Sequence, residues 1–429
     1  MITRIDATNY RCFEKLSIPT SDLVVVAGAN GSGKTTLLDV PVLLGDLLRS
    51  RSVSGAFMDP VLSRGARASS LSELCFRHNG ESFSLGIEAR LPDDVRKAVV
   101  AGTTATVQKD ASKHPTHIRY ELRFRVAHHE LSVRNEYLFL FTHSEAYEAH
   151  RLPLQGENAN QDDWRFIIRR EYGRESTFRP EVRTRGKSPS ERSTQIDNTL
   201  TAFPRIQFEN KAEFPAAHWL LTLLLDGVVF FEPTWSKLRS SSQPALKREP
   251  LLSSGENLPW LALRLHQESP ERFAAWVAHV RTALPQITGI FIREREDDHH
   301  AYFRVQYEAD FEVTSSGLSE GTLRILALTL IAYIEDAPRL LVVEEPENSI
   351  HPQAIDTVMQ SLRSLYDRQV WVSTHSPVVL ASTELSELLI TRLARSGAAS
   401  VIPGTQHPRL ASWKGAIDLG SLFATGVFE

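Results

Sequence analysis

Residues 23–35 read Leu23-Val-Val-Val-Ala-Gly28-Ala-Asn-Gly-Ser-Gly-Lys-Thr35. Leu23 to Ala27 is the continuous, largely β-branched run expected of a strand buried on both faces of a sheet. Gly28 to Thr35 then satisfies the phosphate-binding loop pattern, two glycines bracketing four residues and followed by Lys and Thr. The chemistry requires these residue types. Glycines let the backbone wrap phosphates with its N–H groups turned inward, and the helix that follows adds the positive end of its dipole. Lys34 neutralises β- and γ-phosphate charge, and the Thr35 hydroxyl ligates Mg²⁺. The alternative, a chance glycine-rich turn, does not account for a buried strand before the loop and a helix after it. The candidate nucleotide contacts are therefore Asn30, Gly31, Ser32, Gly33, Lys34, Thr35 and Thr36.

Three further motifs follow toward the other end of the chain. Leu340-Leu-Val-Val-Glu-Glu-Pro-Glu347 is an apolar strand ending in paired acids. In a phosphate-loop fold the strand beside the loop ends in an acid near Mg²⁺, and a following acid can polarise the attacking water. Glu344 is then the metal-side acid and Glu345 the catalytic base. Ser315-Ser-Gly-Leu-Ser-Glu-Gly-Thr322 opens a buried helix, and its Ser and Gly form a second anion site for a phosphate arriving from outside the protomer. Ser373-Thr-His-Ser-Pro377 follows the last core strand, where His375 can hydrogen-bond a γ-phosphate. A lone Ser–Gly helix start or a lone histidine is ordinarily structural. The order of all four motifs along one chain is what gives them a chemical reading.

Working outward, 429 residues is more than one compact core usually holds, so two or three structural units are expected. A hydrophobic fraction of 42% and a charged fraction of 23% exclude disordered, collagen-like and coiled-coil chains. The balance of 48 Lys+Arg against 52 Asp+Glu, a net charge of -4, leaves no bulk attraction to nucleic acid, so any DNA contact must come from a local patch. Cys12 and Cys75 show no metal-ligand spacing and cannot build a disulfide framework, and the N-terminus has no signal-peptide character. A cytoplasmic setting without membrane contact is expected.

Short strands are predicted around Ile2 and Ile5, around Leu16 and Ile18, and over Phe83–Ile87, Ile118–Val126 and Leu131–Phe141. From 143 to about 210 periodicity fades, with little beyond Trp164-Arg-Phe-Ile-Ile168. Arg165, Arg169, Arg170, Arg174 and Arg179 invite a nucleic-acid reading, but the interleaved Glu171, Glu175 and Glu181 favour a solvated, mixed-charge insertion outside the core. Order returns with a helix over 269–285, capped by Ser269, and a hairpin joining 290–293 to 302–307. A buried helix through Leu323–Ile334, strand 340–343, helix 355–365 and strand 370–372 complete an α/β alternation.

Taken together the chain resembles the ABC-type ATPases of the SMC and RecF kind. Within them it is similar to the bacterial group that includes the ATPase half of OLD nucleases and the PtuA and AriA defence ATPases. The resemblance rests on Ile5-Asp-Ala-Thr-Asn-Tyr-Arg-Cys-Phe13, the phosphate loop, Gly255-Glu-Asn-Leu258, the signature Leu318-Ser-Glu-Gly-Thr322, the acid motif and Ser373-Thr-His-Ser-Pro377; the middle third carries no matching motif. It implies an α/β ABC-type head of two lobes around ATP and Mg²⁺: residues 1–142 carry the phosphate loop, 143–268 form an insertion for dimer or partner contacts, and 269–429 carry the signature, acids and switch histidine. It also implies that Ser319 and Gly321 reach the γ-phosphate of a partner protomer, that Glu345 is the base and His375 the switch residue, and that Arg11 lies near the nucleotide. Glu344 in place of the usual Asp, Glu320 in place of a signature Gly and His351 in place of an Asp depart from the pattern and point to slow, regulated turnover.

A signature that acts on a neighbour's nucleotide implies a homodimer or higher even-numbered homo-oligomer with ATP sandwiched between heads. In OLD nucleases a TOPRIM nuclease follows the histidine motif; about fifty residues remain here, short of ordinary domain sizes. The expectation is an ATPase that gates a separate nuclease or toxin in anti-phage defence. The alternatives are a RecF-like repair ATPase acting on DNA and a non-hydrolysing, nucleotide-dependent scaffold. A transporter ATPase is disfavoured by the span of about 280 residues between phosphate loop and signature.

Overall fold

A computed structural model describes residues 1–60, 65–103, 105–144, 164–182, 191–308, 311–410, 413 and 417–428. The chain forms two compact units. The first comprises Met1–Ser21, Asn30–Val228 and Thr391–Ile402; the second comprises Asp22–Ala29, Val229–Ile390 and Pro403–Glu429. The division falls inside the glycine loop, between Ala29 and Asn30.

The first unit is built on an antiparallel sheet of eight strands. They are β1 (Ile2–Tyr10), β2 (Phe13–Pro19), β4 (Ser82–Arg90), β5 (His117–Ala127), β6 (Glu130–Phe141), β7 (Arg165–Glu171), β8 (Ser176–Phe178) and β9 (Arg192–Thr194), in the order β2-β1-β4-β5-β6-β7-β8-β9. In β5 the alternation Ile118, Tyr120, Leu122, Phe124 against Arg119 and Glu121 puts apolar and charged side chains on opposite faces, yet all six are buried. On the apolar side Tyr10, Phe57, Phe83 and Phe124 pack as one aromatic cluster, with Phe83 stacked on Phe124 at 4.9 Å. On the polar side Arg119 Nη1 donates to Asp6 Oδ2 (2.6 Å) and Glu88 Oε1 (2.5 Å), and its Nε donates to Glu121. One guanidinium thus spreads its fork over three carboxylates, which is how a charged layer survives burial.

Helix α1 (Lys34–Arg49) lies in this unit with Leu37, Leu38, Leu43 and Leu44 buried. Arg67 clamps it, binding Asp39 through Nε (2.7 Å) and Asp46 through Nη2 (2.7 Å).

The span from 143 to 210 departs from the sequence reading. Residues 145–163 and 183–190 lie outside the described chain, but β7 pairs with β6 and is no solvated loop. Arg170 is buried and donates to the carbonyls of Leu200, Ile196 and Asp197 at 2.7–3.1 Å, with Glu136 Oε2 3.6 Å away. Arg174, Glu175 and Arg179 are exposed, as a mixed-charge surface requires, whereas Arg170 turns inward to buried carbonyls. Glu181 is buried too, accepting the Ala216 and Ala217 N–H groups in the first turn of α2 (Pro215–Asp226). Burial pushes its carboxyl up to about 7, against the helix-end hydrogen bonds that lower it. Because the native state then holds a proton that the unfolded chain releases above about pH 4.5, stability should fall by about 3 kcal/mol as pH rises from 4.5 to 7 and level off above that. Urea unfolding of Glu181→Gln across this range should show a flatter profile than the native protein; an unaltered slope would refute the assignment.

The second unit holds a sheet whose strands run β10 (Val228–Phe231), β14 (Leu340–Glu344), β15 (Gln369–Thr374), β3 (Leu23–Gly28), β16 (Leu388–Leu393). The three central strands are parallel, with Glu344 opposite Ser373 and Thr374 opposite Ala27. Their near-continuous Val and Leu content follows from burial on both faces. The acid strand was expected beside β3; instead β15 lies between them. Strand β16 carries the chain back into the first unit, where β17 (Ala399–Pro403) follows as its edge neighbour.

Around this sheet pack α3 (Leu258–Glu268), α4 (Pro270–Ala283), α5 (Glu320–Ile331), α6 (Pro352–Arg363) and the antiparallel meander β11 (Ile287–Glu294), β12 (Ala301–Tyr307), β13 (Phe311–Thr314), sharing one apolar core through Trp276, Phe303, Leu326 and Val343. The predicted helix and hairpin are α4, β11 and β12. Ser269 stands at the α4 N-cap but makes no side-chain capping bond. No described helix is long and apolar enough to cross a membrane.

Candidate functional site

In the first unit the β1–β2 turn and the start of α1 form a cradle. Gly31 (φ 75°) and Gly33 (φ 96°) adopt left-handed backbone that glycine tolerates and β-carbons resist. At Gly33 space forbids a side chain as well: a Cβ there would lie 2.9 Å from Cys12 Sγ and 3.1 Å from the Phe13 ring. Gly33 serves as the N-cap of α1 without a capping side chain, so the first-turn N–H groups remain directed at the loop. Lys34 is the first helical residue and only 7% exposed, whereas Asn30, Gly31 and Thr35 face solvent.

The loop is braced from behind. Ser32 is buried with its Oγ 2.6 Å from Thr391 Oγ1, and Thr36 hydrogen-bonds the half-buried Cys12 thiol, which burial pushes up. Arg11 has a left-handed backbone (φ 50°) and donates its N–H to the Leu74 carbonyl at 2.9 Å. Its side chain hydrogen-bonds Tyr10.

In the second unit the C-terminal ends of β3, β15 and β14 lie side by side along one edge, so Gly28, Thr374 and Glu344 share that edge. Ligand chemistry in open parallel sheets gathers at such edges. Glu345, just past β14, has a positive φ of 44° and donates its N–H to the Ser373 carbonyl at 3.0 Å. A non-glycine residue held there costs about 1–3 kcal/mol, a strain typical of working sites. Its carboxylate accepts from Asn348 Nδ2 at 2.5 Å and stands 3.7 Å from His375 Nε2. Glu347 accepts from Thr374 Oγ1 (2.5 Å) and from the His375 N–H (3.1 Å).

The signature meets this acid loop within the same unit. Ser319 caps α5, its exposed Oγ accepting the Thr322 N–H at 3.1 Å. Ser349 Oγ donates to Glu320 Oε1 (3.2 Å), and Arg324, stacked over Trp235, donates to the Asn348 carbonyl (2.7 Å). A Cβ on Gly321 would sit 2.3 Å from the Ser349 carbonyl oxygen. Gly321→Ala should therefore destabilise the protein by about 1–3 kcal/mol as the two segments are forced apart, read by urea unfolding. Unchanged stability would mean that the segments yield freely.

The family described as "AAA domain, putative AbiEii toxin, Type IV TA system" matches residues 23–381, from the strand before the glycine loop to just past the His375 turn. The chain belongs to that AAA-domain family. An OLD nuclease from Thermus scotoductus is 25% identical to this AAA-domain protein over 156 residues, covering 32% of this chain and 30% of the relative. A solved SMC head bound to the C-winged-helix domain of ScpA superposes with a TM-score of 0.54 at 12% identity, over 94% of this chain and 96% of that one. A second SMC head, with an extended coiled coil and the C-terminal domain of ScpA derived from Pyrococcus furiosus, gives 0.46 at 13% identity, over 94% and 95%. The first of these superpositions shows that the AAA-domain protein has the fold of an SMC head.

Sequence reasoning did not single out Cys12, Thr391, Arg324, Asn348 or Glu347 of this AAA-domain protein. Glu347 was visible as the third acid of its motif. Thr391 carries no local signal, since it meets Ser32 across 359 positions. Gly255 and Asn257, quoted for resemblance, are structural: Asn257 is fully buried and donates to the Pro250 carbonyl at 2.6 Å. His351 caps α6, its Nδ1 accepting the Gln353 N–H at 3.3 Å.

Proposed function

We propose that this protein binds ATP with Mg²⁺, dimerises around the nucleotide and hydrolyses it slowly to ADP and phosphate, gating a separate nuclease or toxin in bacterial anti-phage defence. The observation that carries the reading is the common edge of β3, β15 and β14, from which the glycine loop, the His375 turn and the acid loop all depart. In this reading Asn30 to Gly33 and Thr36 shape the phosphate cradle, and Lys34 neutralises β/γ charge. Thr35 hydroxyl and Glu344 carboxylate supply the hard oxygen donors that Mg²⁺ prefers. A Mg²⁺ held there would supply charge screening for transfer of the γ-phosphoryl group to water. Glu345 accepts a proton from the attacking water, His375 hydrogen-bonds the γ-phosphate, and Arg11 lends positive charge nearby. Ser319 and Gly321, at the open end of α5, serve the partner protomer's nucleotide, which makes the dimer the active form.

Light scattering of the purified protein with and without ATP, together with nuclease assays in the presence of the protein encoded beside it, tests the reading. ATP-dependent dimerisation and ATP-dependent nuclease activity are the expected results. Hydrolysis stimulated by DNA alone would favour the repair reading, and a nucleotide-dependent dimer without turnover would favour a scaffold. The family description names a toxin and the Thermus scotoductus relative is a nuclease, which supports an effector system over repair.

A further inference from the structure

We infer that Glu347 is a positioning residue that ties the His375 turn to the acid loop and so sets His375 against Glu345. The inference rests on the hydrolysis reading above. Glu347 has no part in the roles given to Glu344 and Glu345, yet its carboxylate bonds the histidine turn at two successive residues. Its Oε1 accepts two hydrogen bonds, from Thr374 Oγ1 at 2.5 Å and from the His375 N–H at 3.1 Å. Thr374 Oγ1 in turn accepts the Ser376 N–H at 2.9 Å. One carboxylate oxygen thus holds Thr374 and His375 directly and Ser376 through Thr374, and the imidazole stands 3.7 Å from Glu345 Oε1.

The other oxygen, Oε2, is buried and has no hydrogen-bond partner among the described residues. Burying an acid with one unsatisfied oxygen is costly, and the two bonds to the turn are what this carboxylate contributes against that cost. Burial pushes the Glu347 carboxyl up, and the neighbouring Glu345 charge pushes the same way. Arg324 lies in the field of Glu320, Glu347 and Glu345 and donates to the Asn348 carbonyl. Glu347 offers the turn an acceptor oxygen.

The role predicts a split between turnover and binding. Glu347→Ala should lower kcat about tenfold or more while the Kd for ATP changes less than about threefold, because the turn is released and the cradle is untouched. Glu347→Gln keeps an acceptor oxygen at the same reach and should restore kcat to within about threefold of wild type. Thr374→Val, which removes the Thr374 bond to Glu347 and the acceptor for the Ser376 N–H at constant shape but leaves the His375 N–H bond, should fall between them and covers the case in which the alanine variant does not fold. Hydrogen exchange reads the same claim without turnover: amides 374–376 should exchange about tenfold faster in Glu347→Ala and at the native rate in Glu347→Gln. Native kcat and native exchange in the alanine variant would overturn the proposal, as would a glutamine variant as impaired as alanine. If the wild type does not hydrolyse ATP, the hydrolysis reading fails on its own and the exchange comparison still decides the role of Glu347.

Discussion

Lys34→Ala is expected to weaken ATP binding on the order of 100-fold. A charge-assisted hydrogen bond to phosphate contributes about 1.5–3 kcal/mol, and each 1.4 kcal/mol is tenfold in affinity. The side chain is only 7% exposed, so the interaction is less screened than a surface ion pair. Alanine is the best helix former and sits at the first position of α1, so the helix should persist and the loss should be read as lost phosphate contact. Isothermal titration with ATP, beside a melting curve for each protein, makes the measurement. Undiminished affinity would mean that residues 28–35 are a turn with no nucleotide.

Glu345→Gln is expected to cut kcat by about 10²–10⁴, the usual worth of a positioned general base, while ATP still binds. Geometry makes this a clean substitution. The amide has the shape of the carboxylate, and its oxygen can still accept from Asn348 Nδ2, so the strained backbone at φ 44° keeps its local bonds. What disappears is the capacity to take a proton from water. With hydrolysis blocked, ATP should hold the closed dimer, and light scattering should find the variant dimeric at ATP concentrations where the wild type returns to monomer. Equal hydrolysis by variant and wild type would remove Glu345 from the mechanism. Reading both variants together separates binding from chemistry, since Lys34 and Glu345 lie in different compact units and are expected to fail at different steps.

Particular elements show how far a sequence can be read. The strand, loop and helix from Leu23 to Arg49 were legible because the motif demands local backbone geometry: left-handed glycines, a helix start and a buried strand are all set within a dozen residues. Helix α4 and the β11–β12 hairpin were legible for the same reason, through a proline start, an apolar stripe and a polar turn. Strand β7 was legible only through Trp164–Ile168, because Arg169-Arg-Glu171 reads as surface while Arg170 turns inward to Glu136 and to carbonyls about thirty positions away, such as that of Leu200. The neighbour of β3 was misjudged because strand order in a parallel sheet is decided by how crossover helices pack and leaves no trace in the strands themselves.

The sequence by itself determined the chemistry that could occur here: which residues can wrap phosphate, supply charge, hold a metal or take a proton follows from side-chain type and short spacing. Only the tertiary structure decided which of those groups touch. The bond from Asn348 to Glu345, the hold of Glu347 on the His375 turn and the contact that leaves no room for a side chain at Gly321 depend on loops that meet because β14 and β15 are paired and α5 packs beside them. Contacts of that kind arise from packing a shared core over long sequence separations, and no local pattern encodes them.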